Sequence, residues 1–209
     1  MQGVRLYFAR HGESEANVQE VFSIHPEMYG LTDRGKGQAE TLADNLSGVD
    51  FTVLYCSPVL RAVQTAGIVA ARLCLAYEIE DGLREYDVGI LEGRRYSKAT
   101  EEIYWQVTAQ WMEAMNWDAR IEGGESYNDI AARFMPFIRR LESDHRGTEA
   151  NILSISHGGI LRCMLPLLLS NVDNAFSMAH PVGYTTCVVA ELRGGKWACL
   201  RWGEETFEM

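Results

Sequence analysis

The sequence predicts an α/β domain with a mostly parallel central sheet. Three observations carry that prediction. Short, continuous apolar runs recur along the chain, as buried strands require. Stretches with apolar residues at helical spacing separate them, so strands and helices alternate. The chain has 209 residues, which fits one domain with a full core.

The elements follow in order. Val4 to Ala9 is an apolar run and reads as a buried strand. Arg10-His11-Gly12 ends it, and a polar stretch rich in helix formers follows. Residues 21–33 carry Pro26, Gly30 and Asp33 and read as a loop. Arg34 to Leu46 places Ala39, Leu42, Ala43 and Leu46 on one face, and Gly48 follows as a stop, so a helix is expected. Phe51 to Cys56 is a second buried strand. Ser57-Pro58 then reads as a helix start, with Ser at the N-cap and Pro at the first helical position. Ala76 to Ile79 is a short strand, and residues 80–95, with Gly82, Gly89 and Gly93, read as loop.

Tyr96 to Trp117 is expected to be helical, with Trp105 and Trp111 among its apolar residues. Gly123-Gly124 breaks the chain, and Ser126 with Asp129 resembles a capping box. Ile130, Phe134, Phe137 and Leu141 form the core face of the next helix; Pro136 inside it predicts a kink or an early end. Asn151 to Ser156 is another strand and Gly158 to Leu169 another helix. Tyr184 to Leu192 and Trp197 to Trp202 read as two late strands around Gly194-Gly195. The order is β-α-β-α-β-α-α-β-α-β-β, with no internal repeat, linker or low-complexity segment.

The net charge of −10 and pI of about 5.0 argue against nucleic acid and anionic membranes as partners. Five cysteines are present, an odd number with no CxxC spacing, and read as buried free thiols in a reducing compartment. The stretch Met1-Gln2-Gly3-Val4-Arg5 has no basic region leading into a long apolar run, so no signal peptide is expected. Cytoplasmic location is the expectation. Nothing in the sequence speaks to oligomeric state.

The polar clusters share one placement. Arg10-His11 follows the first strand, Ser57-Pro58 with Arg61 the second, and Ser156-His157-Gly158-Gly159 the strand that begins at Asn151. Ligands of open α/β sheets bind beyond the carboxyl ends of the strands, so the three clusters should line one mouth. Two arginines, two imidazoles and two helix N-termini there suit a phosphate dianion held without a metal. The adjacent arginines would repel a cation, and no metal-binding motif is present, so no metal or other cofactor is expected. Glycine beside His11 and His157 would let backbone approach a ligand.

These residues also form a recognisable set. Leu6-Tyr7-Phe8-Ala9-Arg10-His11-Gly12-Glu13-Ser14, with Asn17, resembles the signature of the histidine phosphatase superfamily, the phosphoglycerate-mutase-like fold. Leu31 to Ala39, Ser57 to Ala66, Leu83 to Gly93, Gly123 to Ser126 and Ser156 to Arg162 resemble its further blocks, in order. The resemblance implies a three-layer αβα sandwich spanning residues 1–209 as a single domain. A helical, aromatic, cap-like insertion would lie at about 94–125. It implies that His11 attacks phosphorus and becomes phosphohistidine. Arg10, Arg61, His157 and Asn17 would hold the phosphoryl oxygens, with Gly158 and Ser23 also against the ligand. Glu85 would protonate the leaving oxygen and then activate water. Asp87 and Glu92 are the rival carboxylates, read as loop-stabilising or solvent-facing.

Within that resemblance the phosphatase branch fits best. Mutases tend to carry His-Gly-Asn where this chain has His157-Gly158-Gly159, and Arg where it has Tyr86. The stretch 97–119 has one basic residue, Lys98, and instead holds Trp105, Trp111 and Trp117. These tryptophans either cap the pocket or pack the helix on the sheet, two readings of equal standing. The expected activity is hydrolysis of a small-molecule phosphomonoester. A phosphoglycerate mutase, or a non-catalytic phospholigand-binding module on the same fold, is the alternative.

Overall fold

The computed structural model describes residues 3–207. Met1 and Gln2, part of the N-terminal stretch read above, lie outside them. The strands are β1 (Arg5–Arg10), β2 (Val53–Cys56), β3 (Tyr77–Ile79), β4 (Asn151–Ser156), β5 (Cys187–Arg193), β6 (Lys196–Trp202) and β7 (Glu205–Thr206). They form one sheet in the order β3-β2-β4-β1-β5-β6-β7. β3, β2, β4 and β1 run parallel, while β5, β6 and β7 add on antiparallel. The sheet is therefore mixed, and parallel at its core.

The helices are α1 (Glu15–Val18), α2 (Asp33–Leu46), α3 (Leu60–Leu73), α4 (Lys98–Met112), α5 (Tyr127–Asp144), α6 (Gly158–Leu168) and α7 (Asn174–Ala179). Successive residues of a strand face opposite sides, and β1 shows the consequence. Leu6 and Phe8 enter a core built with α5 and α6, whereas Tyr7 and Ala9 enter one built with α2 and α3. Burial on both faces explains the apolar run Leu6–Ala9 of β1. The layers are helix, sheet, helix.

Several boundaries differ from expectation. Helix α3 starts at Leu60, not Pro58, behind an extended Val59 and without a side-chain cap. Ser57 is engaged elsewhere: its Oγ lies 2.7 Å from His157 Nε2 and accepts from the Val59 N–H at 3.2 Å. Helix α4 ends at Met112, so Trp117 lies outside it and packs on Tyr127 with ring centroids 4.5 Å apart. Pro136 does not end α5, which continues to Asp144. Strand β5 starts at Cys187; Thr185 N–H still donates to the Arg10 carbonyl at 3.0 Å, but Thr185 itself is left-handed, which ends the regular strand. Helix α7 has no counterpart in the sequence reading; Asp173 caps it by accepting from Phe176 N–H at 2.8 Å. Cysteines 56, 163, 187 and 199 are buried and unpaired, but Cys74 is exposed, at the left-handed C-terminus of α3. No helix among the described residues is long and apolar enough to cross a membrane.

Candidate active site

β1, β2 and β4 are parallel neighbours, so their carboxyl ends lie along one edge. That edge delivers His11, Ser57 and His157 together. The His11 N–H donates to the Ser156 carbonyl at 3.0 Å, and the two imidazole centroids are 5.0 Å apart.

His11 is 2% exposed. Its Nε2 lies 3.0 Å from Arg61 Nε, and its Nδ1 lies 2.6 Å from the Gly12 carbonyl. A guanidinium only donates. Nε2 therefore carries the lone pair, and Nδ1 carries the proton and donates to Gly12. Burial first, then the charges of Arg61 and Arg10, hold His11 well below the ordinary histidine value. Burial, Arg61, His11 and Arg10 do the same to His157. Both rings are neutral near pH 7.

A cavity of about 250 Å³ opens beside them, lined by Arg10, His11, Asn17, Ser23, Arg61 and Glu85 among others, and by Gly158. Arg61 is clamped: Nη2 donates to the Ser23 carbonyl at 3.0 Å while Nε holds His11. Arg10 donates Nη1 to the Val182 carbonyl at 3.1 Å and lies 4.2 Å over the Tyr184 ring. Arg10 Nε, Arg61 Nη1 and His157 Nδ1 are buried with no protein partner. A buried donor left unpaired costs about 1–3 kcal/mol, and more when charged. Two guanidinium donors and one imidazole nitrogen, from three separate elements, are thus left without a protein partner.

Glu85 reaches this cavity from the loop after the 3₁₀ turn Asp81–Leu83. Its carboxylate accepts from Gly159 N–H at 2.9 Å and from Ile160 N–H at 2.7 Å. It thus caps α6, and the amides expected to be open to a ligand are occupied. The N-terminus of α3 is closed in a similar way, since Leu60 N–H donates to the Pro26 carbonyl at 2.9 Å.

The glycines also allow close packing within the protein. A Cβ at Gly159 would sit 2.7 Å from Glu85 Oε1, and one at Gly12 would sit 2.4 Å from the Gly35 carbonyl oxygen. Gly158 packs against Arg10, where a Cβ would lie 3.2 Å from Nε.

Asn17 accepts on Oδ1 from the Ser14 N–H and hydroxyl, at 3.1 and 2.8 Å, which fixes its amide at the cavity wall. The Ser23 hydroxyl donates to Glu92 Oε1 at 2.8 Å; Glu92 also accepts from Ile24 N–H. Asp87 accepts from Gly89 N–H at 2.8 Å. Glu92 and Asp87 are thus loop-holding carboxylates, as read from sequence.

The outer wall is aromatic: Phe22, Tyr96, Tyr104 and Trp105. The three tryptophans divide. Trp105 lines the cavity and is 45% exposed, whereas Trp111 is 1% exposed and donates Nε1 to the Ala119 carbonyl at 2.7 Å. Trp117 packs on the same core.

Arg162 completes the wall and received no role from the sequence. Its guanidinium lies 5.1 Å from the Trp105 ring centre, Nη2 donates to the Tyr104 hydroxyl, and Nε is buried without a partner. Its spacing held the signal, because Arg162 lies one helical turn after Gly158 on the same face of α6. Tyr86, noted only as a departure from mutases, is fully buried and bonded to Tyr104. No group of three or more His, Cys, Asp or Glu that could hold a metal ion occurs among the described residues.

The family model described as histidine phosphatase superfamily (branch 1) matches residues 6–205. The adenosylcobalamin/alpha-ribazole phosphatase of Escherichia coli K12 is 34% identical over 168 residues, 79% of this chain and 79% of that protein. Human 6-phosphofructo-2-kinase/fructose-2,6-bisphosphatase 1 is 31% identical over 166 residues, 78% of this chain but 32% of that protein. Among solved structures, the alpha-ribazole phosphatase from Shigella flexneri superposes with a TM-score of 0.77 at 27% identity, covering 98% of each chain. Bacillus stearothermophilus YhfR has the same fold, with a TM-score of 0.81 at 22% identity over 97% of this chain and 98% of that one.

Proposed function

The chain belongs to branch 1 of the histidine phosphatase superfamily, and from that premise we propose that it hydrolyses a small-molecule phosphomonoester through a phosphohistidine on His11, without a metal. One observation carries this reading. A neutral, buried histidine whose Nε2 carries the lone pair lines one cavity with Arg10 and Arg61, each of which leaves a buried guanidinium nitrogen without a partner.

In the proposed reaction, Arg10 Nε, Arg61 Nη1 and His157 Nδ1 take the phosphoryl oxygens, with the Asn17 amide at the rim. With the Ser57 hydroxyl as donor to His157 Nε2, 2.7 Å away, the imidazole proton would sit on Nδ1, toward the phosphate. His11 Nε2 forms a bond to phosphorus as the ester P–O bond breaks. Glu85 gives a proton to the departing alkoxide, then takes one from the water that cleaves the P–N bond. Inorganic phosphate leaves and His11 is regenerated.

The leaving group would face the aromatic wall, so an apolar or ring-bearing alcohol suits it, and Arg162 Nε offers one donor to an acceptor on that alcohol. The relatives named alpha-ribazole phosphatases point the same way. Residues 94–125 act in this reading as a cap, of which α4 supplies the working face. The five unpaired cysteines suit a reducing cytoplasm.

The test is phosphate release from a panel of phosphomonoesters in EDTA. Wild type is expected to turn over and His11→Ala to lose activity by about four orders of magnitude or more. Activity abolished by EDTA, or retained in His11→Ala, would overturn the proposal.

A further inference from the structure

Glu85 acts only if its carboxylate stands at the right point of the cavity, yet it lies on a loop. What fixes that loop is a second carboxylate, outside the cavity. Glu125 Oε1 accepts from Arg84 Nη2 at 3.2 Å, and Oε2 accepts from Asp87 N–H at 2.8 Å. It therefore grips the chain on both flanks of Glu85. The Glu125 N–H returns a bond to the Asp87 carbonyl at 3.0 Å. From α5, Arg133 closes the clamp, donating Nε and Nη2 to the two Glu125 oxygens at 2.9 and 3.1 Å. Its Nη1 donates to the Asp81 and Gly82 carbonyls, at the turn that leads into the loop.

The backbones beneath are equally close. A Cβ at Gly124 would lie 2.5 Å from the Asp87 carbonyl oxygen, and one at Gly89 would lie 2.0 Å from the Glu122 carbonyl oxygen. Glu125 is 16% exposed and Arg133 is 13% exposed at the side chain, so this is not a loose surface pair. Half-buried, multiply bonded carboxylates of this kind fix geometry, because removing them leaves several donors unsatisfied.

We propose that Glu125 is a positioning residue for Glu85: with Arg84 and Arg133 it buckles the 84–89 loop to the 122–125 segment and so sets the proton-transferring carboxylate. The role given to Glu85 rests on the function proposed above; the geometry does not.

Two readouts separate the two claims. The Gly159 and Ile160 amides lie in the first turn of α6 and have no helical acceptor, so their hydrogen-exchange protection reports Glu85 directly. The Leu161 amide, which donates to the His157 carbonyl at 3.1 Å, is the internal control. In Glu125→Gln, protection at Gly159 and Ile160 is expected to fall about tenfold while Leu161 keeps its own. Turnover of an alkyl phosphomonoester is expected to fall about 10- to 100-fold with KM within about twofold, as for a misplaced acid. The pre-steady-state nitrophenolate burst from p-nitrophenyl phosphate, whose leaving group needs no proton, should persist.

Retained protection at Gly159 and Ile160 overturns the proposal whatever the turnover, and so do equal losses in burst and turnover. Should Glu125→Gln fail to fold, Arg84→Met keeps the Arg133–Glu125 pair and must show the same loss of protection, to a smaller degree; unchanged protection there overturns it too. A wild-type protein with protected amides but no turnover would sink the proposed function and leave the buckle standing.

Discussion

At the scale of the residue, the site is defined by a few atoms held in one state. Arg61 Nε fixes which nitrogen of His11 keeps its lone pair, and burial with two arginines keeps His11 and His157 uncharged. Stability follows from the same fact. Each folded-state value lies below the unfolded 6.5, so the unfolded chain binds more protons in the interval between them. The contribution is complete above pH 6.5 and is lost as pH falls from there toward the depressed folded values. Tm is therefore expected to drop between pH 7 and pH 5, and His157→Gln to flatten that slope; differential scanning calorimetry at fixed ionic strength checks it. An identical slope in the variant would contradict the reading of His157 as buried and neutral. His11, Arg10, Arg61 and His157 were legible because each lies at or just beyond the carboxyl end of a strand readable in the sequence. Arg162 was legible only through its spacing, one helical turn after Gly158, and Tyr104 was not, since its sequence carries no mark of which side chain lies opposite.

At the scale of the element, the helix N-termini behave differently from the expectation drawn from their sequences. Ser57-Pro58 has the composition of a cap, but the serine hydroxyl serves His157, and the helix begins at Leu60. Helix α6 begins as expected, yet its first amides hold Glu85 rather than standing open. Local sequence records which groups need partners and not which distant group supplies them; Glu85 lies 74 residues before Gly159. The glycines make the same point. Gly12 was read as room for a ligand, whereas it lets the end of β1 touch the backbone of α2 at Gly35. Gly12→Ala is therefore expected to destabilise the fold by about 2–3 kcal/mol, as for an overpacked site. Chemical denaturation measures this directly, and a loss below about 0.5 kcal/mol would show that the contact can relax.

At the scale of the whole molecule, two cores sandwich one sheet, and the His11 end of the cavity grows from that rigid frame while α4 adds Tyr104 and Trp105 to the outer wall. The strand–helix alternation was readable throughout β1 to α6, because continuous apolar runs and helical periodicity are strong signals. The aromatic segment was ambiguous for a physical reason: tryptophan serves equally in a core or at a rim. The structure separates the cases, with Trp105 at 45% exposure and Trp111 at 1%. Trp111→Ala is expected to cost about 3–5 kcal/mol in denaturant unfolding. Trp105→Ala should leave Tm nearly unchanged and raise KM by about 5- to 20-fold for an aromatic ester but not for a small alkyl one, a difference of roughly 1–2 kcal/mol in leaving-group contact. The central claim remains the covalent role of His11. Rapid quenching of the enzyme with a ³²P-labelled substrate, followed by peptide mapping, tests it most directly. The account predicts an alkali-stable, acid-labile label on His11 that is lost in His11→Ala; turnover with no labelled histidine, or a label on another residue, would contradict it.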